Sequence, residues 1–170
     1  MAVLTHDRIL AEIESGRVVV DPFDRDQLGA ASIDLTVGEE IRVMRAESAP
    51  IDLFEDADFR DYTEVRSLAT PHILEPGHTI HGITRERITL PDDLCGFLEG
   101  RSRFARLGLM IHVTSAFVQP GVSNRQVLEM SNVSTHPLRI HAGVRLCQLV
   151  LMRTDGQASY NGRFADQQGI

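Results

Sequence analysis

The sequence predicts a mostly β domain that opens with one short helix and ends in a polar arm. Helical periodicity is confined to the start of the chain, and several later segments alternate apolar with polar residues. Glycine or proline turn signals separate most of these segments. A length of 170 residues is typical of one domain, and we expect residues 1–170 to form it.

The first element is a helix that begins after Thr5, a residue suited to an N-cap. Ile9, Leu10 and Ile13 then share one face, which predicts the side that packs on the core. Gly16 follows at the position where helices often end with a left-handed residue.

The remaining elements are predicted as short strands. Residues 32–37 show the pattern most clearly, because Ile33, Leu35 and Val37 alternate with polar residues. Further strands are predicted at 41–43, 79–84, 94–98, 126–131, 137–140 and 144–152. Residues 154–170 are polar and contain three glycines, which is typical of an arm that closes over a site.

Charge and composition limit the possible partners. A net charge of -7 argues against a surface that follows a nucleic-acid polymer, but allows a small phosphorylated ligand. All 17 basic residues are arginine, which suits bidentate contact with phosphate, although the base composition of the genome gives the same bias. No signal-peptide core is present, and no apolar run approaches the roughly 20 residues of a membrane span. We therefore expect a cytoplasmic protein with no membrane partner.

Cysteines and histidines indicate neither a disulfide nor a metal site. Cys95 and Cys147 lie in apolar contexts typical of buried free thiols. His78 and His81 are three residues apart on a predicted strand and would point to opposite faces. His112 is interpreted as a core or interface histidine whose hydrogen bonds are satisfied.

An acidic segment at 52–64 holds six acidic residues and one arginine, Arg60. The carboxylates lack the ligand spacing of a calcium loop. We therefore predict a solvated loop rather than a metal site.

The strongest candidate site is the arginine segment at 100–106. Ser102 can cap a short helical turn through Arg106, so that backbone amides and the hydroxyl face an anion that Arg101 and Arg103 approach. Phosphate fits this arrangement. A surface helix whose arginines pair with Glu99 fits it equally well.

Several motifs, in this order, resemble the dCTP deaminases of the dUTPase-like superfamily. They are SIDL at 32–35, GRS at 100–102, ARLGL at 105–109, HVT at 112–114, PG at 120–121, VLE at 127–129 with Asn132, residues 143–149, and Tyr160 with RF at 163–164 and QQG at 167–169. The resemblance covers nearly the whole chain.

The resemblance implies a distorted β-barrel of the dUTPase-like, β-clip type. It further implies a homotrimer with active sites between subunits, and an arm at 154–170 that folds over the nucleotide. Such enzymes hydrolyse dCTP to dUTP and ammonia, feeding dUMP and dTTP synthesis, with Mg²⁺ as counterion of the triphosphate and no zinc. The chain lacks the H-x-E and P-C-x-x-C motifs of zinc deaminases.

The resemblance also assigns roles to residues. Glu129, on the strand face opposite Leu128 and Met130, would activate water; without the resemblance, a surface residue paired with an arginine is the better interpretation. Arg106 would position the water or the developing oxyanion, and Ser102 would act near the same centre. The remaining implied substrate contacts are Arg101, Arg103, Phe104 and Ala105 for phosphates, Val127 and Leu128 for the base edge, Gln119 for the sugar, and Tyr160, Arg163 and Gln167 from the arm.

Three departures from the family pattern keep other functions open. Arg103 replaces a small hydroxyl residue, Arg163 replaces a lysine, and Gln119 stands where the family carries aspartate. An amide cannot serve as a base, so Gln119 counts against dUTP diphosphatase or bifunctional activity. A non-catalytic nucleotide-binding module, or a relative acting on a modified cytosine nucleotide, remains an alternative.

Overall fold

The computed structural model describes residues 2–46, 49–112 and 114–170, and it confirms the mostly β fold. Val113 of the HVT motif lies outside the described residues. The helices are α1 His6–Glu14, α2 Phe59–Tyr62 and α3 Ser102–Ala105. The strands are β1 Val19–Asp21, β2 Ile33–Met44, β3 Thr63–Ser67, β4 His72–Leu74, β5 Thr79–Thr89, β6 Leu94–Gly100, β7 Leu109–Ile111, β8 Phe117–Val118, β9 Ser123–Asn132, β10 Leu138–Ile140 and β11 Arg145–Arg153.

The N-terminal helix forms where the sequence predicts it. Ile9 is fully buried on its inner face, and Gly16 ends it with a φ of 73°. Thr5 occupies the N-cap position but does not cap, because its hydroxyl donates to the Asp7 carboxylate at 2.5 Å.

One curled sheet forms most of the described molecule, as a distorted half-barrel. Its strands follow the order β7-β9-β5-β2-β11-β6-β8, with β1 paired to β5 and β3 paired to β2. A separate two-stranded sheet joins β4 and β10. The core lies inside the curl, where the inward residues of β2, β9 and β11, including Ile33, Leu35, Leu128 and Leu149, are fully buried.

Several strands are longer than the sequence pattern predicts. The expected strands at 32–37 and 41–43 are one strand, β2, whose register on β5 shifts between Val37 and Ile41. At the shift, a Cβ on Gly38 would lie 3.1 Å from the Ile83 carbonyl oxygen, so glycine allows the two backbones to approach. The alternation breaks there, although the backbone continues as a strand.

The acidic segment is a solvated loop only in its first part, where residues 52–58 have no helix or strand and residues 52–56 are exposed. Within it, α2 is capped by Asp58, whose carboxylate accepts from the Arg60 amide at 3.0 Å, and β3 begins at Thr63. β3 then pairs with β2.

Both cysteines are buried free thiols, as expected, and burial raises the pKa of each. The described residues form no helix long and apolar enough to cross a membrane.

Candidate active site

A cavity of about 490 Å³ opens beside β9 and contains the predicted base, Glu129. Four other predicted site residues line it: Gln119, Val127, Tyr160 and Gln167. Phe59 of α2 closes one side, so the acidic segment contributes a wall that the sequence did not reveal.

Among the described residues, none pairs with the middle of the β9 edge that faces this cavity. At one end of this edge, the Arg125 amide donates to the Gln167 carbonyl at 2.9 Å; at the other end, the Glu129 carbonyl accepts from the His112 amide at 3.0 Å. Because hydrogen-bonding direction alternates along a strand, the amide and carbonyl of Val127 point to the same edge. Val127 thus presents one donor and one acceptor to the cavity.

Glu129 lies on the non-core face of the strand, as the alternation predicts. Leu128 and Met130 on either side are fully buried in the core, whereas Glu129 is half-buried. The Thr114 hydroxyl donates a short hydrogen bond to its carboxylate. The carboxylate is therefore held at the cavity wall rather than free in solvent.

Two histidines flank this carboxylate. His81 of β5 lies directly opposite Glu129 in the antiparallel pair, so that their side chains share one face, and its ring meets Phe59 edge-on at 5.9 Å. His112 is only 9% exposed, and neither of its ring nitrogens has a hydrogen-bond partner among the described residues. His112 is therefore buried, as expected for a core or interface histidine, but the described residues of one chain do not supply the expected hydrogen bonds to its ring.

Burial lowers the pKa of both rings, while the charge of Glu129 opposes this shift. Arg42 lowers the pKa of His81 further. Glu129 thus faces two imidazoles whose surroundings favour the neutral form.

The arginine segment forms the short helix α3, but Ser102 does not cap it. Arg101 occupies the N-cap position, and the first hydrogen bonds of the turn run from the Phe104 and Ala105 amides to the Arg101 carbonyl. The amides of Ser102 and Arg103 precede these bonds and point out of the turn. The turn therefore still offers two backbone amides as hydrogen-bond donors, although the predicted Ser102 cap is absent.

Arg101 is held by groups of its own chain. Its Nη2 lies 2.8 Å from Oδ2 of Asp34, and its Nη1 donates to the Arg145 carbonyl at 2.8 Å. Burial raises the pKa of Asp34, and Arg101 opposes that shift. Arg101, Ser102 and Arg103 line a second cavity of about 610 Å³. Arg103 and Arg106 are exposed.

Within one chain, this turn lies away from Glu129. The register of β7 on β9 places Leu109 opposite Asn132, and the Val133 amide donates to the Gly108 carbonyl at 2.9 Å. A strand rises about 3.3 Å per residue, so Glu129 and Val133 are about 13 Å apart along β9. Arg106 precedes Gly108 and does not line the Glu129 cavity. One chain thus carries the two halves of the predicted site in different places.

The C-terminal arm folds back on its own chain. The Tyr160 amide donates to the Pro120 carbonyl at 2.9 Å, and the arm then follows residues 123–125 of β9. Arg163 does not line the Glu129 cavity; its Nη2 lies 2.9 Å from Oδ2 of Asp58. Tyr160 and Gln167 do line it, so two of the three predicted arm residues lie at the cavity.

A family model described as dCTP deaminase-like matches residues 3–154. The chain belongs to this family. It is 38% identical over 176 residues to a protein of Clavibacter michiganensis named dCTP deaminase, dUMP-forming, covering 98% of this chain and 88% of that protein. A protein of the same name from Methanobrevibacter smithii is 35% identical over 166 residues, covering 94% of this chain and 86% of that protein.

Solved structures support the dUTPase-like fold of this family. The 2'-deoxycytidine 5'-triphosphate deaminase of Agrobacterium tumefaciens superimposes with a TM-score of 0.69 at 22% identity, covering 88% of this chain and 47% of that chain. The EIAV dUTPase superimposes with a TM-score of 0.54 at 15% identity, covering 85% of this chain and 95% of that chain.

In this dCTP deaminase-like protein, one predicted residue is misplaced for its role. Leu128 is fully buried, and the alternation of β9 directs its backbone groups toward β5 rather than the cavity. Of Val127 and Leu128, Val127 is the one whose backbone groups point to the cavity edge of β9. Phe104 and Ala105 lie in α3, away from this cavity, so their contacts with phosphate stay predictions.

Sequence reasoning missed other residues of this cavity. Phe59, His81 and Arg125 line it, from α2, β5 and β9 respectively. Only the pairing of β5 with β9 could have signalled His81, because it is 48 positions from its neighbour Glu129. No local pattern marks Phe59.

Proposed function

We propose that this protein deaminates dCTP to dUTP and ammonia in a cavity shared by subunits of a homotrimer. The observation that carries the proposal is Glu129, a half-buried carboxylate beside the open backbone edge of Val127. The names of the relatives, dCTP deaminase, support the same substrate.

The backbone of Val127 suits the recognition of cytosine. Its carbonyl can accept from the amino group of the base, and its amide can donate to a ring acceptor. Uracil carries a carbonyl in place of the amino group and would lose the first bond. The same two groups therefore favour substrate over product.

Glu129 supplies the acid and base chemistry. Its carboxylate takes a proton from water as the oxygen attacks C4, and this proton then passes to N3. Glu129 then takes the proton of the new C4 hydroxyl and gives it to the amino group. The bond from C4 to this group breaks as the C4 carbonyl forms, and ammonia leaves. The Thr114 hydroxyl, which donates to this carboxylate, helps to hold it at the cavity wall.

The missing half of the site comes from a second chain. Arg106 of the partner subunit would lie beside Glu129 and stabilise the developing oxyanion, with Ser102 of the partner subunit nearby. The exposure of Arg106 and its position outside the Glu129 cavity support this arrangement. A homotrimer would supply three such pairs of surfaces.

Mg²⁺ would enter as the counterion of the triphosphate, as part of the substrate. The described residues include no group of three or more histidine, cysteine, aspartate or glutamate side chains placed to hold a metal ion. We propose that the water is activated by Glu129, and that the protein binds magnesium through the nucleotide.

A second candidate is direct formation of dUMP, which the names of the relatives favour. That reaction needs a base for the water that attacks the α-phosphate. Gln119 lines the cavity where the family carries aspartate, and an amide cannot be that base. We therefore propose dUTP as the product.

Ammonia and pyrophosphate release from dCTP, dCMP and dUTP test this proposal, with Glu129→Gln as the matched variant. We expect ammonia from dCTP without pyrophosphate, and a loss of at least about a hundredfold in kcat in the variant. Equal amounts of ammonia and pyrophosphate would instead establish the dUMP-forming reaction. Release of neither product from any nucleotide would leave a non-catalytic binding module, and equal turnover by both proteins would exclude Glu129 as the base.

A further inference from the structure

Three arginines form an arginine patch on the non-core face of β5 and β9. Arg87 lies directly opposite Arg125 in the antiparallel pair, and Arg85 lies where the register of the pair shifts. All three are exposed, and they alternate with the fully or nearly fully buried residues Glu86 and Ile88. Their side chains therefore point to the same side of the sheet.

This arrangement is unfavourable without an anion. Like charges directly opposite on neighbouring strands repel each other and destabilise the pair. Within the part of the chain that the structure describes, none of the three arginines forms an ion pair. Arg87 donates to the Ser123 hydroxyl at 3.0 Å, which satisfies one donor and neutralises no charge.

The patch continues the surface that carries Glu129. Glu129, Val127 and Arg125 share the non-core face of β9, and all three line the same cavity. Glu129 and Arg125 are four positions apart, or about 13 Å along a strand. This is comparable with the distance from the base to the phosphate chain of an extended nucleotide.

The arm brings a predicted substrate contact, Gln167, to the same place. The Arg125 amide donates to the Gln167 carbonyl at 2.9 Å, and the Gln168 side chain donates to the Ser123 carbonyl at 3.3 Å. Arg125 also lines an adjoining cavity of about 600 Å³ with Arg85, Glu39 and Glu40. Neither glutamate is within ion-pair distance of the arginines.

We propose that the arginine patch is a phosphate subsite, supplied by the same chain as Glu129, that binds the terminal phosphates of the nucleotide. The proposal rests on the proposed function and deepens it, since it makes the patch a determinant of phosphate number. The fork of Arg125 and the neighbouring Arg87 would hold the phosphate oxygens, with Arg85 at the outer end. Binding would relieve the repulsion between the two opposed arginines. In a chain with a net charge of -7, a local concentration of positive charge favours the approach of a triphosphate.

Arg125→Gln tests the subsite, and Arg139→Gln is the matched control because Arg139 is also an exposed strand arginine without an ion pair. We expect Arg125→Gln to raise the KM for dCTP by roughly tenfold to a hundredfold, with a much smaller change in kcat. The KM for dCMP should change little. Arg125→Lys should recover part of the affinity, and Arg87→Gln should act in the same direction as Arg125→Gln.

Direct binding separates this proposal from the proposed reaction. Inorganic tripolyphosphate, measured by calorimetry, should bind the wild type more tightly than Arg125→Gln and equally well to Arg139→Gln. If the wild type releases no ammonia from dCTP but shows this difference, the subsite stands and the deamination falls.

Three results would overturn the subsite. They are an unchanged KM for dCTP with unchanged tripolyphosphate binding, an equal loss in Arg139→Gln, and a change in the sedimentation mass of Arg125→Gln. An equal loss in Arg139→Gln would show that any loss of positive charge weakens binding, whatever its position. A change in sedimentation mass would show that the patch is a contact between subunits.

Discussion

Nη2 of Arg163 lies 2.9 Å from Oδ2 of Asp58, and this ion pair joins the C-terminal arm to α2. Asp58 also binds Arg60, whose Nη2 lies 2.5 Å from the same oxygen. The next residue, Phe59, forms a wall of the Glu129 cavity. The acidic segment therefore holds the arm closed and shapes the cavity at once.

Loss of this ion pair should release the arm. We predict that Asp58→Asn makes the chain more sensitive to limited proteolysis between residues 154 and 170, since the arm has no helix or strand there. Asp61→Asn, in the same short helix, is the control. Equal cleavage of both variants would show that Asp58 does not hold the arm.

The contact should also survive mild acid. Hydrogen bonds from Arg60, and more weakly the charge of Arg163, hold the pKa of Asp58 well below its usual range. A carboxyl with a lowered pKa keeps its stabilising charge until the pH falls through that lowered value. Protection of the arm from an acid protease should thus persist below pH 3.8, the ordinary pKa of an aspartate.

Subunit mixing tests whether Glu129 and Arg106 act across two chains. Glu129→Gln and Arg106→Gln should each be inactive alone. When the two variants are unfolded and refolded together in equal amounts, random assembly should restore roughly a quarter of wild-type ammonia release. In each restored site, an Arg106→Gln chain supplies the intact Glu129 and a Glu129→Gln chain supplies the intact Arg106. No recovery, despite a mixed oligomer by mass, would mean that both residues must come from one chain.

His112 should make stability depend on pH. Burial lowers the pKa of its ring, so the unfolded chain takes up a proton near pH 6.5 while the folded chain resists it. The free energy of unfolding should therefore fall as the pH drops below about 6.5. His112→Asn tolerates the positive φ of 54° and should reduce this dependence in urea titrations. The pKa of His81 is also lowered, so His81 contributes the same pH dependence to the wild type and to His112→Asn. His141 is exposed, and the control His141→Asn should keep the full pH dependence of the wild type.

Gly108 should be far less tolerant of alanine than Gly143. Both have positive φ, 89° and 78°, which costs alanine about 1–2 kcal/mol. A Cβ on Gly108 would lie 2.5 Å from the Ser134 Cβ and 2.9 Å from its backbone nitrogen, whereas Gly143 has nothing within 4 Å. Gly108→Ala should lose about 1–3 kcal/mol more in the free energy of unfolding. Equal losses in thermal unfolding would show that the β7 to β9 junction yields to the extra methyl group.

The spacing of apolar and polar residues was enough to predict the features that short-range interactions determine. The face of α1 with Ile9 and its end at Gly16 follow from residue spacing and backbone freedom. The position of Glu129 opposite two core residues follows from strand alternation. The strand β3, which begins at the end of the acidic segment, was missed because its pairing with β2, rather than its own composition, stabilises it.

By itself, the sequence determined a mostly β domain, a dCTP deaminase-like family and Glu129 as the candidate base. The tertiary structure decided what surrounds that carboxylate. His81 reaches Glu129 through strand pairing, Phe59 through the packing of α2, and Arg125 faces Arg87 through the register of two strands. These contacts join residues that are far apart in the chain. They depend on strand register and on packing energies, which the pattern of a single segment does not determine.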